Sequence, residues 1–177
     1  MNYHKIEKSS IANGTGIRVV LWCSGCSLRC KGCQNPETWD INSGKLFDEK
    51  AKEELFEALD KPYIQGITFS GGHPLENENV ETVYLLIKEI KEKFPNKDIW
   101  LYTGYTLNQI FPTVITSDLD LKRFYRQNIV EMCDVVVDGA YVEKLRDITL
   151  KWRGSSNQRV IDVKNTLKEN KVVLYNN

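Results

Sequence analysis

The sequence lacks any net charge: 24 lysines and arginines stand against 24 aspartates and glutamates. That balance excludes the general electrostatic pull that gathers proteins on DNA or on anionic membranes, and leaves only local basic patches. No apolar run approaches the roughly 20 residues that span a bilayer, and the opening "MNYHKIEKSS" holds no apolar signal core. Internal repeats, low-complexity tracts and linker-like stretches are also absent. The expectation is a soluble, cytoplasmic protein that binds neither nucleic acid nor membrane. Its 177 residues are 41% hydrophobic, enough for one domain over 1–177 with a sizeable core. Cysteine is sparse too, five in all, yet four of the five crowd into "WCSGCSLRCKGCQN", Trp22 to Asn35.

In the cytosol thiols stay reduced, so clustered cysteines more often bind metal or do chemistry than form disulfides. The spacing is Cys23-x2-Cys26-x3-Cys30-x2-Cys33. Structural zinc takes four thiolates, often from two C-x2-C knuckles about 15–20 residues apart, so that each reaches the metal from its own turn. Only three residues separate the knuckles here, which disfavours zinc without excluding it. A ferredoxin-type carrier uses C-x2-C-x2-C with a remote cysteine before proline, and this chain has neither. The remaining reading takes three cysteines, Cys26, Cys30 and Cys33. Cys23 is then a small buried hydrophobe on the preceding strand, and Cys133 a core cysteine.

The rest of the chain alternates strand-like and helix-like runs. "RVVLWC", "GITFSGG", "DIWLYTG" and "CDVVVDG" read as strands, with "RVIDV" and "KVVLY" as further strands near the end. "DEKAKEELFEAL" places Ala51, Leu55, Ala58 and Leu59 at helical spacing behind an Asp48 N-cap. "NVETVYLLIKEIKEKF" puts Val80, Val83, Ile87, Ile90 and Phe94 on one face, and "LKRFYRQNIVEM" is a weaker helix. Such alternation predicts α/β architecture with a parallel sheet. The cysteine loop, "SGGHP", "TGY" and "DGAY" each follow a strand directly, so they meet at one edge of the sheet, where sites are built. A full eight-unit barrel needs about 250 residues. The expected fold is therefore an incomplete, open βα barrel.

The C-x3-C-x2-C loop (within 23–36) resembles that of the radical S-adenosylmethionine superfamily. The resemblance implies a 4Fe–4S cluster on Cys26, Cys30 and Cys33, with its fourth iron free to be chelated by S-adenosylmethionine. Gly71 and Gly72 of "SGGHP" match the superfamily's glycine pair. His73 stands where an acid is usual, and a neutral imidazole offers one acceptor nitrogen in its place. Together with "NGTGIR", "CQNPETW", "TGY", "DVVVDG" and "WRGSSNQR", the constellation resembles the activating proteins of anaerobic (class III) ribonucleotide reductases, from Met1 to about Val163. Thr15, where that family often has proline, and Gln34, where an aromatic is common, depart from the pattern. Gly32 agrees with this small family.

That resemblance implies a radical enzyme that reductively cleaves S-adenosylmethionine and removes a hydrogen atom from a glycine of the reductase. Gly32, Cys33, Gln34, Gly71, Gly72 and His73 would line the cofactor, with Gly104, Tyr105 and Gly139 beside them. No catalytic acid–base pair is needed, because the radical is borne by the cofactor. The implied partners are the large subunit of the reductase and a low-potential electron donor such as flavodoxin or ferredoxin. Two rival readings stand beside it: an activase of another glycyl radical enzyme such as pyruvate formate-lyase, and a non-catalytic zinc or iron–sulfur module.

Overall fold

Four parallel strands carry the centre of the molecule: β2 (Ile17–Cys23), β4 (Ile64–Gly71), β5 (Asp98–Tyr102) and β6 (Val135–Asp138), hydrogen-bonded in that order. The computed structural model describes residues 1–112 and 120–176. The expected single domain, 1–177, thus includes 113–119 and 177, which lie outside the described residues. All four expected central strands form, because each is a short β-branched and apolar run that buries both faces. The sheet is not purely parallel. β1 (Asn2–Ser10) lies antiparallel on β2, and β3 (Lys45–Leu46) pairs with β1. At the other end β7 (Arg159–Asp162) runs antiparallel to β6. Among the described residues the result is a mixed seven-stranded sheet in the order β3-β1-β2-β4-β5-β6-β7, with two free ends and no closure.

The two faces differ. Val19, Leu21 and Cys23 alternate along β2 with Arg18, Val20 and Trp22, as the period of two requires. The first set joins Ile67, Phe69, Ile99, Leu101 and Val136 in the main core. Helices α1 (Glu49–Leu59), α2 (Val80–Lys93) and α4 (Leu121–Met132), with the one-turn α3 (Leu107–Ile110), cover that face. Asp48 caps α1 as expected, its carboxylate accepting from the Ala51 amide at 2.9 Å. Ala51, Leu55, Ala58 and Leu59 are all buried, and α2 buries Val80, Val83, Leu86, Ile87 and Ile90. Each large side chain so buried contributes about 1.5–3 kcal/mol of transfer free energy at most. Phe94 falls at the C-cap of α2 and is only half-buried.

The opposite face is covered by loops instead of helices. Trp100, Val135, Val137 and Val160 form a second cluster there, with Tyr102, Trp152 and Tyr175 packed on it. Arg18 also lies on this face, fully buried. Its guanidinium donates to Thr68 Oγ1 (2.9 Å), Ile67 O (2.9 Å) and Thr15 O (3.0 Å), and pairs with the Asp98 carboxylate. One charged side chain thereby ties β2, β4, β5 and the "NGTG" loop together.

"KVVLY" is not a strand. It makes one bridge, Leu174 to Ile161, and leaves Val172 and Leu174 exposed. The Asp162 amide donates to Val173 O (3.0 Å) and the Tyr175 amide to Val160 O (2.9 Å), which holds the segment to β7, and the Tyr175 ring lies 5.3 Å from that of Trp100. Before it comes a short helix, α5 (Val163–Glu169), capped by Asp162.

Candidate cluster and cofactor site

Each parallel strand ends in one of the loops singled out in the sequence. β2 runs into the cysteine loop, β4 into Gly72–Pro74, β5 into Thr103–Tyr105 and β6 into Gly139–Tyr141. Because β7 is antiparallel to β6, with Asp138 opposite Arg159, the segment before β7 reaches the same edge. Between these loops lies a cavity of about 370 Å³. Cys26, Cys30 and Cys33 line it, as do Gln34, Gly71, Gly72, His73, Gly104 and Gly139. Gly32 and Tyr105 are not on its wall. Gly32 turns the cysteine loop with φ +73° against the Glu143 side chain, and Tyr105 packs its ring on His73, centroids 4.5 Å apart.

The cavity thiols and the other two cysteines have opposite environments. Cys26, Cys30 and Cys33 are half-buried, whereas Cys23 and Cys133 are buried in the helix-side core. Burial pushes the Cys23 thiol up to about 12 and raises that of Cys133 as well. Both are held as neutral thiols away from the cavity. Burial also raises Cys26, but the backbone amides of Leu28 and Arg29 act against it. The Asn35 amide points at Cys33 Sγ from 3.4 Å. Amides aimed at sulfur favour the thiolate, the form that ligates metal.

The glycine pair does something the sequence did not reveal. A Cβ on Gly72 would stand 2.5 Å from Gly25 O and 2.9 Å from Thr38 O. One on Gly71, at φ +101°, would stand 2.7 Å from the Cys23 backbone. The Gly72 amide donates to Cys23 O (2.8 Å) and the His73 amide to Gly25 O (2.7 Å). The pair is bare because the cysteine loop lies directly against it. Asn79 adds a clasp: its Nδ2 donates to Ser24 O (2.8 Å) and His73 O (3.0 Å).

His73 has a buried ring, 1% exposed. Its Nε2 lies 2.8 Å from Thr103 Oγ1, and its Nδ1 faces Glu76 Oε2 at 3.7 Å, an electrostatic contact too long for a hydrogen bond. The tautomer with Nδ1–H toward the carboxylate leaves Nε2 to accept from the Thr103 hydroxyl. Glu76 was not singled out in the sequence, and it is buried. It accepts from the Ser27 amide (2.8 Å) and hydroxyl (3.2 Å). The neighbouring His73 ring first, then the two Ser27 donors, push its carboxyl down to about 2. The visible signal was its place one helical turn beyond His73, just before α2.

"WRGSSNQR" also has a structural reason. The Gln158 carboxamide oxygen accepts from the Gly154 amide (2.9 Å) and the Ser155 amide (3.2 Å), and its Nε2 donates to Gly139 O (3.0 Å). Arg159 closes on the buried Asp138 carboxylate in a two-pronged ion pair. Asp138 in turn accepts from the Leu107 amide at 2.9 Å. The segment forms a braced wall, with Trp152, Arg153, Gly154 and Gln158 lining the cavity.

Whether these residues suit an iron–sulfur cluster can be judged from the donors. They are soft thiols with amides aimed at sulfur, and no carboxylate lines the cavity among the described residues. Such a set suits zinc or iron–sulfur in preference to a hard cation. Among the described residues no three His, Cys, Asp or Glu side chains converge tightly enough to hold a single ion. A four-iron cluster spreads its thiolates over separate irons, so they need only surround a shared space larger than one ion, as Cys26, Cys30 and Cys33 do around the cavity. The residues fit.

Residues 12–161 match the family described as a 4Fe-4S single cluster domain, which places the chain in the class of iron–sulfur proteins. Relatives resolve it further. The anaerobic ribonucleoside-triphosphate reductase-activating protein of Escherichia coli (strain K12) is 39% identical over 162 residues, covering 90% of this chain and 97% of its own. The protein of the same name from Enterobacteria phage T4 is 41% identical over 160 residues, covering 90% and 93%. That of Vibrio cholerae is 37% identical over 160 residues, covering 89% and 96%. The chain belongs to the family of anaerobic ribonucleoside-triphosphate reductase-activating proteins.

Proposed function

We propose that this protein activates an anaerobic ribonucleotide reductase, using a 4Fe–4S cluster held by Cys26, Cys30 and Cys33. One observation carries the reading: three half-buried thiols face a shared cavity while the fourth nearby cysteine, Cys23, is turned into the helix-side core. Three protein ligands leave one iron of a four-iron cluster free for S-adenosylmethionine. When bound, cluster and cofactor supply a one-electron cleavage to methionine and a 5′-deoxyadenosyl radical, which takes hydrogen from a glycine of the reductase.

The chain's own residues position and shield. Gly71 and Gly72 let the cysteine loop lie flat on β4, which fixes Cys26 relative to the cavity. Gln34, His73, Gly104 and Gly139 border the space for the cofactor, with Gly32 turning the ligand loop and Tyr105 backing His73. Trp22, Tyr102 and Trp152 add an apolar lining that keeps water from the reacting atoms. The sheet is read as an incomplete βα barrel within one domain, and the open side is the approach for the large subunit of the reductase. The electron comes from a low-potential donor such as flavodoxin or ferredoxin. No helix among the described residues is long and apolar enough to cross a membrane, and the reading places the protein in the cytoplasm.

The test is anaerobic reconstitution followed by electron paramagnetic resonance of the reduced protein with and without S-adenosylmethionine. Four irons per chain and a spectrum that changes on adding cofactor are expected. Zinc without iron, or a cluster spectrum indifferent to the cofactor, would contradict the reading.

A further inference from the structure

Arg153 is the only lysine, arginine or carboxylate among the described residues that line the cavity. It comes from "WRGSSNQR", of which the proposed activity uses only Trp152, as lining. Its guanidinium is held at one point, Nη1 donating to Gln158 O at 2.6 Å. Among the described residues its other nitrogens find no acceptor, and no carboxylate lies within salt-bridge distance. The loop behind it is braced through Gln158 and the fully buried Ser155. Arg153 is therefore a preorganised donor fork with unfilled positions.

Its place says what fills them. Trp152 and Arg153 border two spaces at once: the main cavity, and an outer depression of about 280 Å³. Lys151, Leu174 and Tyr175 line the outer one. Arg153 thus sits on the ridge between the cofactor space and an open, basic and aromatic groove. A small cofactor needs no outer groove, whereas an extended chain entering from outside needs a seat there and a point of register at the ridge. With several N–H donors and no acceptor, the guanidinium can take up the backbone carbonyls that every extended segment presents.

We propose that the glycine-bearing segment of the reductase lies in the outer groove, crosses the Trp152–Arg153 ridge, and is set in register by hydrogen bonds from Arg153 to its backbone carbonyls. This rests on the activase reading above. Arg153 is a positioning residue for the macromolecular substrate. Trp152 supplies the apolar floor and Lys151, exposed at the groove, an outer contact.

The test measures glycyl radical formation against reductase concentration for wild type, Arg153→Gln, Arg153→Lys and Lys151→Glu, each with its cluster verified by iron content and spectrum. Arg153→Gln should raise the KM for reductase about tenfold, the scale of one lost charged hydrogen bond, and change kcat less than KM. Arg153→Lys should recover part of the loss. Lys151→Glu, at an exposed site that does not threaten folding, should raise the same KM. An Arg153→Gln defect in kcat alone, or in equilibrium affinity for S-adenosylmethionine, overturns the proposal. So does an unchanged KM in both Arg153→Gln and Lys151→Glu. A wild-type protein that forms no radical on any class III reductase removes the activase reading itself, and this proposal with it.

Discussion

Ser27 donates both its amide and its hydroxyl hydrogen to the carboxylate of Glu76, at 2.8 and 3.2 Å. One residue of the cysteine loop is thereby fixed to the loop between β4 and α2. Ser27 is next to Cys26, so the bond orients the first thiol of the candidate ligand set. Glu76→Ala leaves both donors unpaired and should cost about 1.5–3 kcal/mol, the range for hydrogen bonds to a charged group. Glu76→Gln keeps one acceptor oxygen and should cost less. Chemical denaturation of the two variants checks the order; equal stability of Glu76→Ala and wild type would remove the clasp from the account.

The same carboxylate gives a pH dependence. Its folded value is depressed to about 2, with the His73 ring the largest cause and Ser27 next. Its stabilising contribution is therefore full above the unfolded value near 4.5 and is lost as pH falls from there toward 2. The stability difference between wild type and Glu76→Gln should shrink as pH falls from about 4.5 toward 2. A difference that grows on acidification has the wrong sign for this account.

Gly72→Ala puts a methyl group 2.5 Å from Gly25 O, which is backbone and cannot swing aside. The cysteine loop has to move. We expect a loss of about 1–3 kcal/mol in stability and poorer cluster incorporation. Iron content after reconstitution reads the second effect directly. Full occupancy and wild-type stability together would show that the loop does not depend on this contact.

Cysteine replacements should divide sharply. Cys26→Ala, Cys30→Ala and Cys33→Ala should each lose the cluster. Cys23→Ala should retain it and cost only about 1 kcal/mol of packing in the helix-side core. Visible absorbance and iron counts distinguish these outcomes, and cluster loss in Cys23→Ala with a folded chain would mean that a different triplet ligates.

Much of this site was legible because its signals are local. The C-x3-C-x2-C spacing, the glycine pair and the loops after four apolar runs all lie within short windows. The central strands and α1 followed from burial periodicity for the same reason. β1 was not legible: "NYHKIEKSS" is mostly polar because one of its faces meets solvent, and only Tyr3 and Ser10 are buried. "KVVLY" misled in the other direction: its β-branched residues favour a strand, but the segment meets the free edge of β7 only through the Leu174–Ile161 bridge and the two backbone bonds that flank it. Glu76 and Arg153 were hidden because their roles depend on which loops meet in space. The reason for Gly71 and Gly72 was hidden likewise: glycine permits close approach, but the sequence does not say to what.

The central claim is that this chain makes a glycyl radical on a class III reductase. One anaerobic assay tests it most directly: protein, S-adenosylmethionine, a low-potential reductant and the reductase, followed for 5′-deoxyadenosine and for the glycyl radical by electron paramagnetic resonance. The account predicts both products together, with deoxyadenosine formation accelerated by the reductase. Deoxyadenosine formed with an intact cluster, but without any radical on a cognate reductase, would contradict it.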